Sequence, residues 1–546
     1  MLGSGIFVLP GIAFGVTGPS LWIAYLLAAV CVLPAALCMS ELASAMPHSG
    51  GTYVYMERTF GPIVGSIAGI GLWLAMLLKS SFALVGFGAY LSVFADVPLR
   101  PVAVLFLVFI LAINVRGVRA VGRAQSYAVL ISLAGLLCLG IGGLLSYDRV
   151  HIEPMFFHGL DGLLTATGLV VVSYAGVTKV AAIAEEVKEP GRNLPRGIFV
   201  SLTSIALLYA FVVAVIAGNV PASQLIGDIR PVYSLAVIVG GTGIGVLVAI
   251  LGVMTMTSMA NAGLLAASRF PFAMSRDKLL PARFNYLHSV FLTPVVSITF
   301  TGVVMAGVVW FLDVGKIAKL ASVYQILTFL GVNATVIVLR ETAVQWYRPE
   351  FRSPFYPWVQ IFGLFAGAVL LVEMGSISLV ALGVACGGGL LLFYLYGRHF
   401  NHGQGVLRLY GRRALRLILG SSRGGKRASV SKLERVVSKT SETLRQQQAR
   451  TDQLAVTHFS SSVVVPLFGN ERSPETLVEI GAALSKNDSL DVVHLTEVPF
   501  QTQLDAMLEE DMSCQSIKRR LGAMADEKDM RVHFDAVVSH DLIRTV

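Results

Sequence analysis

Two short clusters rich in glycine and serine interrupt long apolar segments, and their residue types suit the binding of a small polar molecule. The first cluster is Gly3-Ser4-Gly5-Ile6, and the second is Ser173-Tyr174-Ala175-Gly176 followed by Thr178. Glycine destabilises a helix interior by about 1 kcal/mol relative to alanine, and an interrupted helix leaves peptide N–H and C=O groups that hydrocarbon cannot satisfy. A bound ligand can satisfy them. We therefore predict a binding site formed by Gly3, Ser4, Gly5, Ile6, Ser173, Tyr174, Ala175, Gly176 and Thr178.

The chemistry of two such interruptions suits a zwitterion. The N-termini of half-helices present N–H groups and a positive dipole end to a carboxylate, while unwound carbonyl groups and half-helix C-termini suit an ammonium. An α-amino acid carries both groups. Small residues can also simply allow close packing of membrane helices, which is the better interpretation of any single glycine. Corresponding interruptions in two halves of a chain favour a site at mid-membrane.

Ionisable residues within or beside the apolar segments are the next candidates. Lys79 lies in the middle of an apolar run, where a charge costs roughly 3 kcal/mol or more, and we predict that it takes up and releases a coupling proton. A lysine that faces a water-filled vestibule or snorkels is an equally open interpretation. Lys179 follows the second cluster and is a weaker candidate for the same role. Glu185 and Glu186 come next in the chain, either as a gate paired with loop arginines or as a solvated helix end.

The elements that must position these residues are membrane-spanning helices. The chain has 546 residues, of which 55% are apolar and 14% are charged, whereas a soluble domain carries roughly 25% charged residues. About 20 apolar residues cross a bilayer as a helix, and twelve such segments can be recognised, with a further helix predicted at residues 231–241. The twelve are residues 1–16, 21–39, 63–94, 102–115, 126–145, 163–183, 198–217, 243–270, 290–312, 317–338, 358–371 and 376–396.

The distribution of basic residues orients these spans. Lysine and arginine are concentrated in the loops after even-numbered spans, for example Arg116, Arg119 and Arg123, and are sparse after odd-numbered spans. Because cytoplasmic loops carry this excess, we predict a multi-pass protein of the cell membrane with both chain ends in the cytoplasm. The net charge of +9 follows from topology and does not indicate a nucleic-acid partner. Glu41 and Glu373 lie near span ends and are assigned no role.

Four longer stretches carry a family resemblance. They are GSGIFVLPG at residues 3–11, SYAGVTKVAAIAEEVKEPGRNLPRGI at 173–198, NAGLLAASRFPFAMSRDKLLP at 261–281 and LTFLGVNATVIVLR at 327–340. These stretches resemble the amino acid-polyamine-organocation transporters, which share the leucine-transporter fold, and the likeness extends over roughly residues 1–398. The resemblance implies an all-α fold with a 5+5 inverted repeat plus two helices. It also implies secondary active transport of amino acids by alternating access, with substrate held by the backbone at the two clusters.

The resemblance leaves the coupling ion and the substrate open. Some members carry a span-5 lysine that replaces a sodium ion, and the nearest alignment places Ser132 there, so both proton and sodium gradients stay possible and no other cofactor is expected. Lys79 and Lys179 would disfavour a cationic side chain, which favours neutral amino acids over the alternatives of cationic amino acids or polyamines. An amino acid receptor derived from a transporter is a second alternative. An enzyme is disfavoured because the apolar segments contain no clustered nucleophiles, metal ligands or paired carboxylates.

Three domains are predicted, and the partners are an amino acid and the lipid bilayer, with the oligomeric state left open. Residues 1–397 form the transport domain, whose first span is expected to be truncated, and residues 398–458 form a basic linker. Residues 459–546 read as strand, helix, strand, helix, strand, a pattern that predicts a parallel sheet and resembles part of a universal stress protein domain. Phe468 stands where nucleotide-binding versions have an acidic residue, so ATP binding is not assigned. Gly420 to Lys426 fits a phosphate-loop pattern, but Arg427 replaces the required serine or threonine.

Overall fold

The chain divides into a helical unit and a smaller α/β unit. Residues 1–343 and 347–409 form the first, and residues 344–346 and 410–546 belong to the second. The computed structural model describes residues 2–46, 52–116, 121–181, 187, 189–288, 291, 293–342, 344, 346–400, 405–407, 463–467, 474–484, 489–497, 512–527 and 531–539. The candidate phosphate-loop pattern, Phe468 and most of the basic linker lie outside these residues.

Helices make up almost all of the helical unit, because a chain within a bilayer must satisfy its peptide groups internally. The first nine are α1 Ser4–Phe7, α2 Leu9–Thr17, α3 Leu21–Ala45, α4 Thr52–Phe60, α5 Pro62–Leu91, α6 Leu99–Arg116, α7 Val121–Gly143, α8 Gly159–Val170 and α9 Gly176–Ala181. They are followed by α10 Pro190–Asn219, α11 Ala222–Leu225, α12 Pro231–Arg276, α13 Val295–Phe311, α14 Val314–Thr342, α15 Trp358–Glu373, α16 Ser376–Leu392 and α17 Arg398–Phe400.

Many of these helices have the length and composition of membrane spans. Three shorter apolar helices, Ala128–Gly143, Val295–Phe311 and Trp358–Glu373, accompany the long ones. The protein is therefore a mostly helical, multi-pass membrane protein. Eight helical segments in the described part of the chain are long and apolar enough to cross a membrane, namely Leu9–Ala45, Pro62–Leu91, Leu99–Arg116, Gly159–Thr178, Gly191–Asn219, Pro231–Arg276, Val314–Thr342 and Ser376–Gly397.

Proline and glycine set several helix boundaries. Pro62, Pro190 and Pro231 each occupy the first turn of a long helix, where the missing N–H would have no partner anyway. Within α12 the backbone leaves helical geometry at Gly240 and at Gly241, whose φ is 72°, a value that glycine adopts without strain. This break separates a first helix from the long apolar one, as the sequence predicts for residues 231–241.

One span lies at the centre of the helical unit. In α5, 83% of the residues in its most apolar 18-residue stretch are buried within the protein, against 22% in the corresponding stretches of α6 and α12. The central α5 packs against α12, α14 and α4, and α3 packs against α10 and α8. Since α5 has almost no surface for lipid, its residues are the ones placed to face an interior site.

The α/β unit has the predicted parallel arrangement within the residues described. Strands β1 Val464–Leu467, β2 Ser489–Glu497 and β3 Arg531–Ser539 pair in parallel in that order. Helices α18 Pro474–Leu484 and α19 Met512–Glu527 connect them in sequence. Their core contains Leu467, Val478, Leu490, Val492 and Leu521, because strands covered on a face by helices alternate apolar residues toward that face.

Candidate functional site

The first interruption falls just after the glycine-rich cluster. Ser4, Gly5 and Ile6 form most of the single turn α1, and the chain leaves helical geometry at Val8, with φ −125° and ψ −44°. The sequence predicts the break within residues 3–6, so this position is a correction. Its cause is Pro10 in the first turn of α2, because proline cannot donate to the carbonyl of residue 6 and its ring would clash with that carbonyl.

The second interruption is a tightening of the helix and not an unwound loop. After α8 ends at Val170, the chain forms a 3₁₀ turn at Val171–Tyr174 and resumes as α9 at Gly176. A 3₁₀ stretch in mid-helix often marks a hinge. The hydroxyl of Ser322 on α14 donates a hydrogen bond to the carbonyl of Leu169 at this point. A side chain on another helix thus partners a backbone group at the interruption.

The two interruptions touch each other in the interior of the helical unit. The hydroxyls of Ser173 and Tyr25 both donate to the carbonyl oxygen of Gly5, the former over 3.3 Å. Tyr174 in turn donates to the carbonyl of Tyr25 at 2.9 Å. All of these side chains are buried. The structure therefore brings Gly5 against Ser173, with Tyr174 linked to the same cluster through Tyr25. The hydroxyl of Thr178 instead donates to the carbonyl of Ala175 in its own segment at 2.8 Å.

A methionine of α12 covers the other side of the first cluster. The Sδ atom of Met259 lies 3.3 Å from the amide nitrogen of Ser4 and 3.5 Å from its hydroxyl oxygen. A Cβ atom added to Gly3 would collide with the same sulfur. The lack of a side chain at Gly3 therefore leaves room for the sulfur of Met259 beside the backbone. Met259 was not predicted from the sequence, where its only signal is a methionine within an apolar span.

Tyrosines complete the surroundings of the interruptions. The rings of Tyr25 and Tyr209 meet edge to face with centroids 5.7 Å apart, and those of Tyr174 and Tyr209 lie 6.1 Å apart. Tyr90 of α5 donates to the carbonyl of Phe7, next to the break at Val8, at 2.7 Å. A buried tyrosine hydroxyl needs a hydrogen-bond partner. In the sequence, tyrosines inside apolar spans therefore indicate that a broken helix has backbone groups in need of a hydrogen-bond partner.

The coupling candidates are placed in different parts of the unit. Lys79 is 5% exposed in the middle of α5, two helical turns, or roughly 10 Å, from Gly86 on the same face, and Gly86 packs against Val8 and Met256. Ser132 of α7 pairs with the hydroxyl of Thr255 on α12 at 2.8 Å. Lys179 lies in α9, and Glu185 and Glu186 lie outside the described residues.

Comparison with known families decides the class of protein. A family model described as amino acid permease matches residues 1–384. The chain belongs to the amino acid permease family. Because the members of this family are permeases, the protein is a membrane transport protein and not an enzyme.

Several characterised proteins are similar to this permease over most of its helical unit. The methylthioribose transporter and a branched-chain amino acid permease of Bacillus subtilis are each 30% identical to it, over 73% of this chain and 90% of their own length. A mitochondrial cationic amino acid transporter of Arabidopsis thaliana is 28% identical over 62% of this chain and 60% of its own. The similarity is therefore with carriers of chemically different solutes.

An ion pair between a fully buried glutamate and a partly buried arginine was not predicted from the sequence of the permease. Glu41, at the end of α3, is 0% exposed and accepts two hydrogen bonds from Arg340 of α14, at 2.8 and 2.6 Å. The hydroxyl of Tyr347 and the amide of Ser353 each donate to the same carboxylate at 2.8 Å. Arg340 also donates to the carbonyl and hydroxyl oxygens of Ser353. The charges of both partners are thus fully compensated.

This ion pair, Tyr347 and Ser353 form what we call the Glu41 network, which extends to α15. Gln360 of α15 donates to the hydroxyl of Ser353 at 2.7 Å. Burial, followed by the neighbouring Glu41 carboxylate, raises the pKa of Tyr347, so its hydroxyl keeps the proton that it donates. The network ties α3, α14 and α15 together. In the sequence, this pair is indicated only by a glutamate and an arginine at the ends of apolar spans, because a charge that becomes buried there needs a partner.

Proposed function

We propose that this permease is a secondary active transporter that moves amino acids across the cell membrane by alternating access. The observation that supports this most directly is the contact between Gly5 and Ser173. It places the two interruptions of predicted spans 1 and 6 side by side in the protein interior. Interrupted helices in corresponding positions of two repeats are where such carriers bind substrate. Gly3, Ser4, Ile6, Tyr174, Ala175, Gly176 and Thr178 complete the proposed site.

The proposed architecture has twelve spans in a 5+5 inverted repeat plus two helices, with both chain ends in the cytoplasm. Its support is that Leu9–Ala45 contains two helices, α2 and α3, divided by a turn at Gly18 with a φ of 77°. Cysteine accessibility from the two sides of sealed vesicles tests the orientation. Labelling from the outside of a cysteine at Arg192, in a basic loop, would contradict it.

Neutral amino acids are the proposed substrates. Among the described residues at the two interruptions, the side chains that hydrogen-bond to backbone groups include Ser173, Tyr174, Tyr25 and Met259, and all four are uncharged. One similar protein is named as a branched-chain amino acid permease, which agrees with this class. Cationic amino acids are the second candidate, because other relatives are named as cationic amino acid transporters.

Reconstitution tests the function directly. Full-length protein in proteoliposomes is expected to accumulate radiolabelled neutral amino acids when an inward proton gradient is applied, and to lose accumulation when the gradient is collapsed. Binding of an amino acid without accumulation would favour the alternative of a receptor derived from a transporter. Neither binding nor uptake across a panel of neutral and cationic amino acids would contradict the proposal.

Lys79 is the proposed coupling residue. A Lys79→Met variant is expected to take up substrate at a rate that no longer changes with pH, because the buried amine that would carry the proton is gone. The matched control is Lys316→Met, since the Lys316 side chain is 61% exposed. Uptake is measured in proteoliposomes between about pH 5 and pH 8, the range in which groups with a pKa near neutrality change their charge. An unchanged pH profile in Lys79→Met would remove Lys79 from the mechanism, with Ser132 and Lys179 next to be tested.

The α/β unit is proposed to be a universal stress protein-like domain. Its support is the parallel order of β1, β2 and β3 with α18 and α19 between them. Because Phe468 stands where nucleotide-binding versions of that domain have an acidic residue, ATP binding is not assigned to this unit. Calorimetric titration of the full-length protein with ATP decides whether the unit binds nucleotide.

A further inference from the structure

A short segment that follows the last span packs against the corner between α4 and α5. Gly61, at this corner, has a φ of 91°, and its amide donates to the carbonyl of Glu57 at 2.8 Å. A Cβ atom added to Gly405 would collide with the amide nitrogen of Gly61 and with the carbonyl carbon of Phe60. Because both are backbone atoms, a side chain at position 405 would force the two segments apart.

The residue after Gly405 anchors the same segment. Val406 is 4% exposed, whereas the neighbouring Leu407 is 45% exposed. The segment belongs to the helical unit, which extends to residue 409, and the chain continues from there into the α/β unit. We call residues 405–407 the clasp.

The helix that ends at this corner is buried on every side. In α4 every residue except Phe60 is buried, including Glu57 at 1% and Arg58 at 8% exposure. Charged residues are seldom buried to this extent, and their removal from water is costly even when they are paired. The position of α4 therefore depends on packing by its neighbours.

The end of the last span supplies part of that packing. Leu392 of α16 contacts an apolar cluster that joins α4, α5 and α12. The cluster consists of Tyr53, Val54, Leu72, Ala273, Met274 and Leu279. Gly397, in the π-helical turn Phe393–Gly397, packs against Leu279, and turns of this kind are frequent at functional sites. The chain thus contacts the surroundings of α4 both before and at the clasp.

The location of α4 gives this contact a consequence for transport. Alternating access requires that the pathway from the substrate site open to water on the cytoplasmic side. The helix α4 connects predicted spans 2 and 3 on the side proposed to be cytoplasmic, where it packs against α5 and α14. A contact that keeps α4 buried therefore opposes this opening.

We propose that residues 405–407 are an autoinhibitory clasp, which holds α4 in its buried position and slows the opening of the transport pathway on the cytoplasmic side. The inference rests on the proposed function and adds regulation by a segment outside the two interruptions. Release of the clasp is expected to speed transport, whereas loss of an ordinary packing contact would only reduce stability.

Two variants release the clasp by different means. Gly405→Val places side-chain atoms against the backbone of Gly61 and Phe60, and Val406→Asp puts a charge at a buried position, which is unfavourable. Leu407→Asp is the matched control, because it introduces the same side chain at the neighbouring position, which is 45% exposed.

Two readouts are compared for each variant of the full-length protein. Hydrogen exchange of the α4 amides, followed by mass spectrometry, is expected to be at least about fivefold faster in both release variants than in the wild type. The maximal rate of amino acid uptake in proteoliposomes is expected to rise about two- to threefold, because the open state becomes more populated. Leu407→Asp is expected to match the wild type in both measurements.

Either release variant that folds decides the question. Unchanged exchange of α4 would overturn the proposal, and so would faster exchange with uptake that is unchanged or lower, or equal effects in Leu407→Asp. Failure of the proposed function is distinguishable, because the wild-type protein would then take up no amino acid at all.

Discussion

A Glu41→Ala variant of this permease is expected to lose about 3 to 5 kcal/mol of its free energy of unfolding. The carboxylate is fully buried and accepts hydrogen bonds from Arg340, Tyr347 and Ser353. Its removal leaves the guanidinium of Arg340, whose side chain is 17% exposed, without its counter-charge, and an unpaired charge with little access to water strongly destabilises a fold. The thermal unfolding temperature of purified protein in detergent measures the loss.

An exposed carboxylate in the same unit provides the control. Asp313 pairs with Arg100 at 3.5 Å and with Lys316 at 3.2 Å, but its side chain is 65% exposed. Pairs of this kind contribute about 0 to 1 kcal/mol, so Asp313→Ala is expected to unfold close to the wild-type temperature. A double variant, Glu41→Ala with Arg340→Met, is expected to recover part of the stability, because the guanidinium that lost its counter-charge is then also removed. Equal losses for Glu41→Ala and Asp313→Ala would contradict this account.

The second large effect is expected for Gly5→Ala, which should reduce substrate uptake at least about tenfold while the protein still folds. A Cβ atom on residue 5 would lie 2.5 Å from the hydroxyl oxygen of Ser173 and 2.9 Å from its Cα atom. Because the second of these is a backbone atom, the two interruptions must move apart. Overpacking of this kind costs roughly 1 to 3 kcal/mol, and it acts on the peptide groups proposed to hold the substrate.

A control and a rescue make the Gly5 prediction specific. Gly307→Ala adds the same methyl group in α13, where an added Cβ meets no heavy atom within 4 Å, and its uptake is expected to be unchanged. Adding Ser173→Gly to Gly5→Ala removes the closest colliding atoms and should restore part of the uptake. Wild-type uptake by Gly5→Ala would show that the contact between the interruptions is not needed for transport.

Both predictions concern contacts between residues that are distant in the chain, but only one of the two contacts could be predicted from the sequence. The two glycine-rich clusters of the permease stand out by residue type alone, and the structure does bring Gly5 and Ser173 together. The pairing of Glu41 with Arg340 joins residues that are 299 positions apart, and no local pattern specifies it. Near span ends a glutamate is as compatible with solvent as with burial, so the sequence alone assigns Glu41 no role.

The position of the first break shows a different kind of error. The glycines predict an interruption at residues 3–6, but Ser4 to Phe7 form a helical turn and the departure from helical geometry is at Val8. Pro10 explains this position through its missing N–H and its clash with the carbonyl of residue 6. Residue type alone does not decide whether glycine or proline sets the position of a break when both occur in one segment.

Composition and periodicity by themselves determined that the bilayer is the solvent for most of this chain, where apolar helices occur, and that a parallel α/β unit follows them. These properties depend on interactions within single segments, which water and lipid enforce locally. Only the tertiary structure decided that Met259 covers Ser4, that Ser322 partners Leu169 and that Arg340 neutralises Glu41. Such pairings depend on how helices are rotated and registered against each other, and in a membrane many apolar faces could pack equally well.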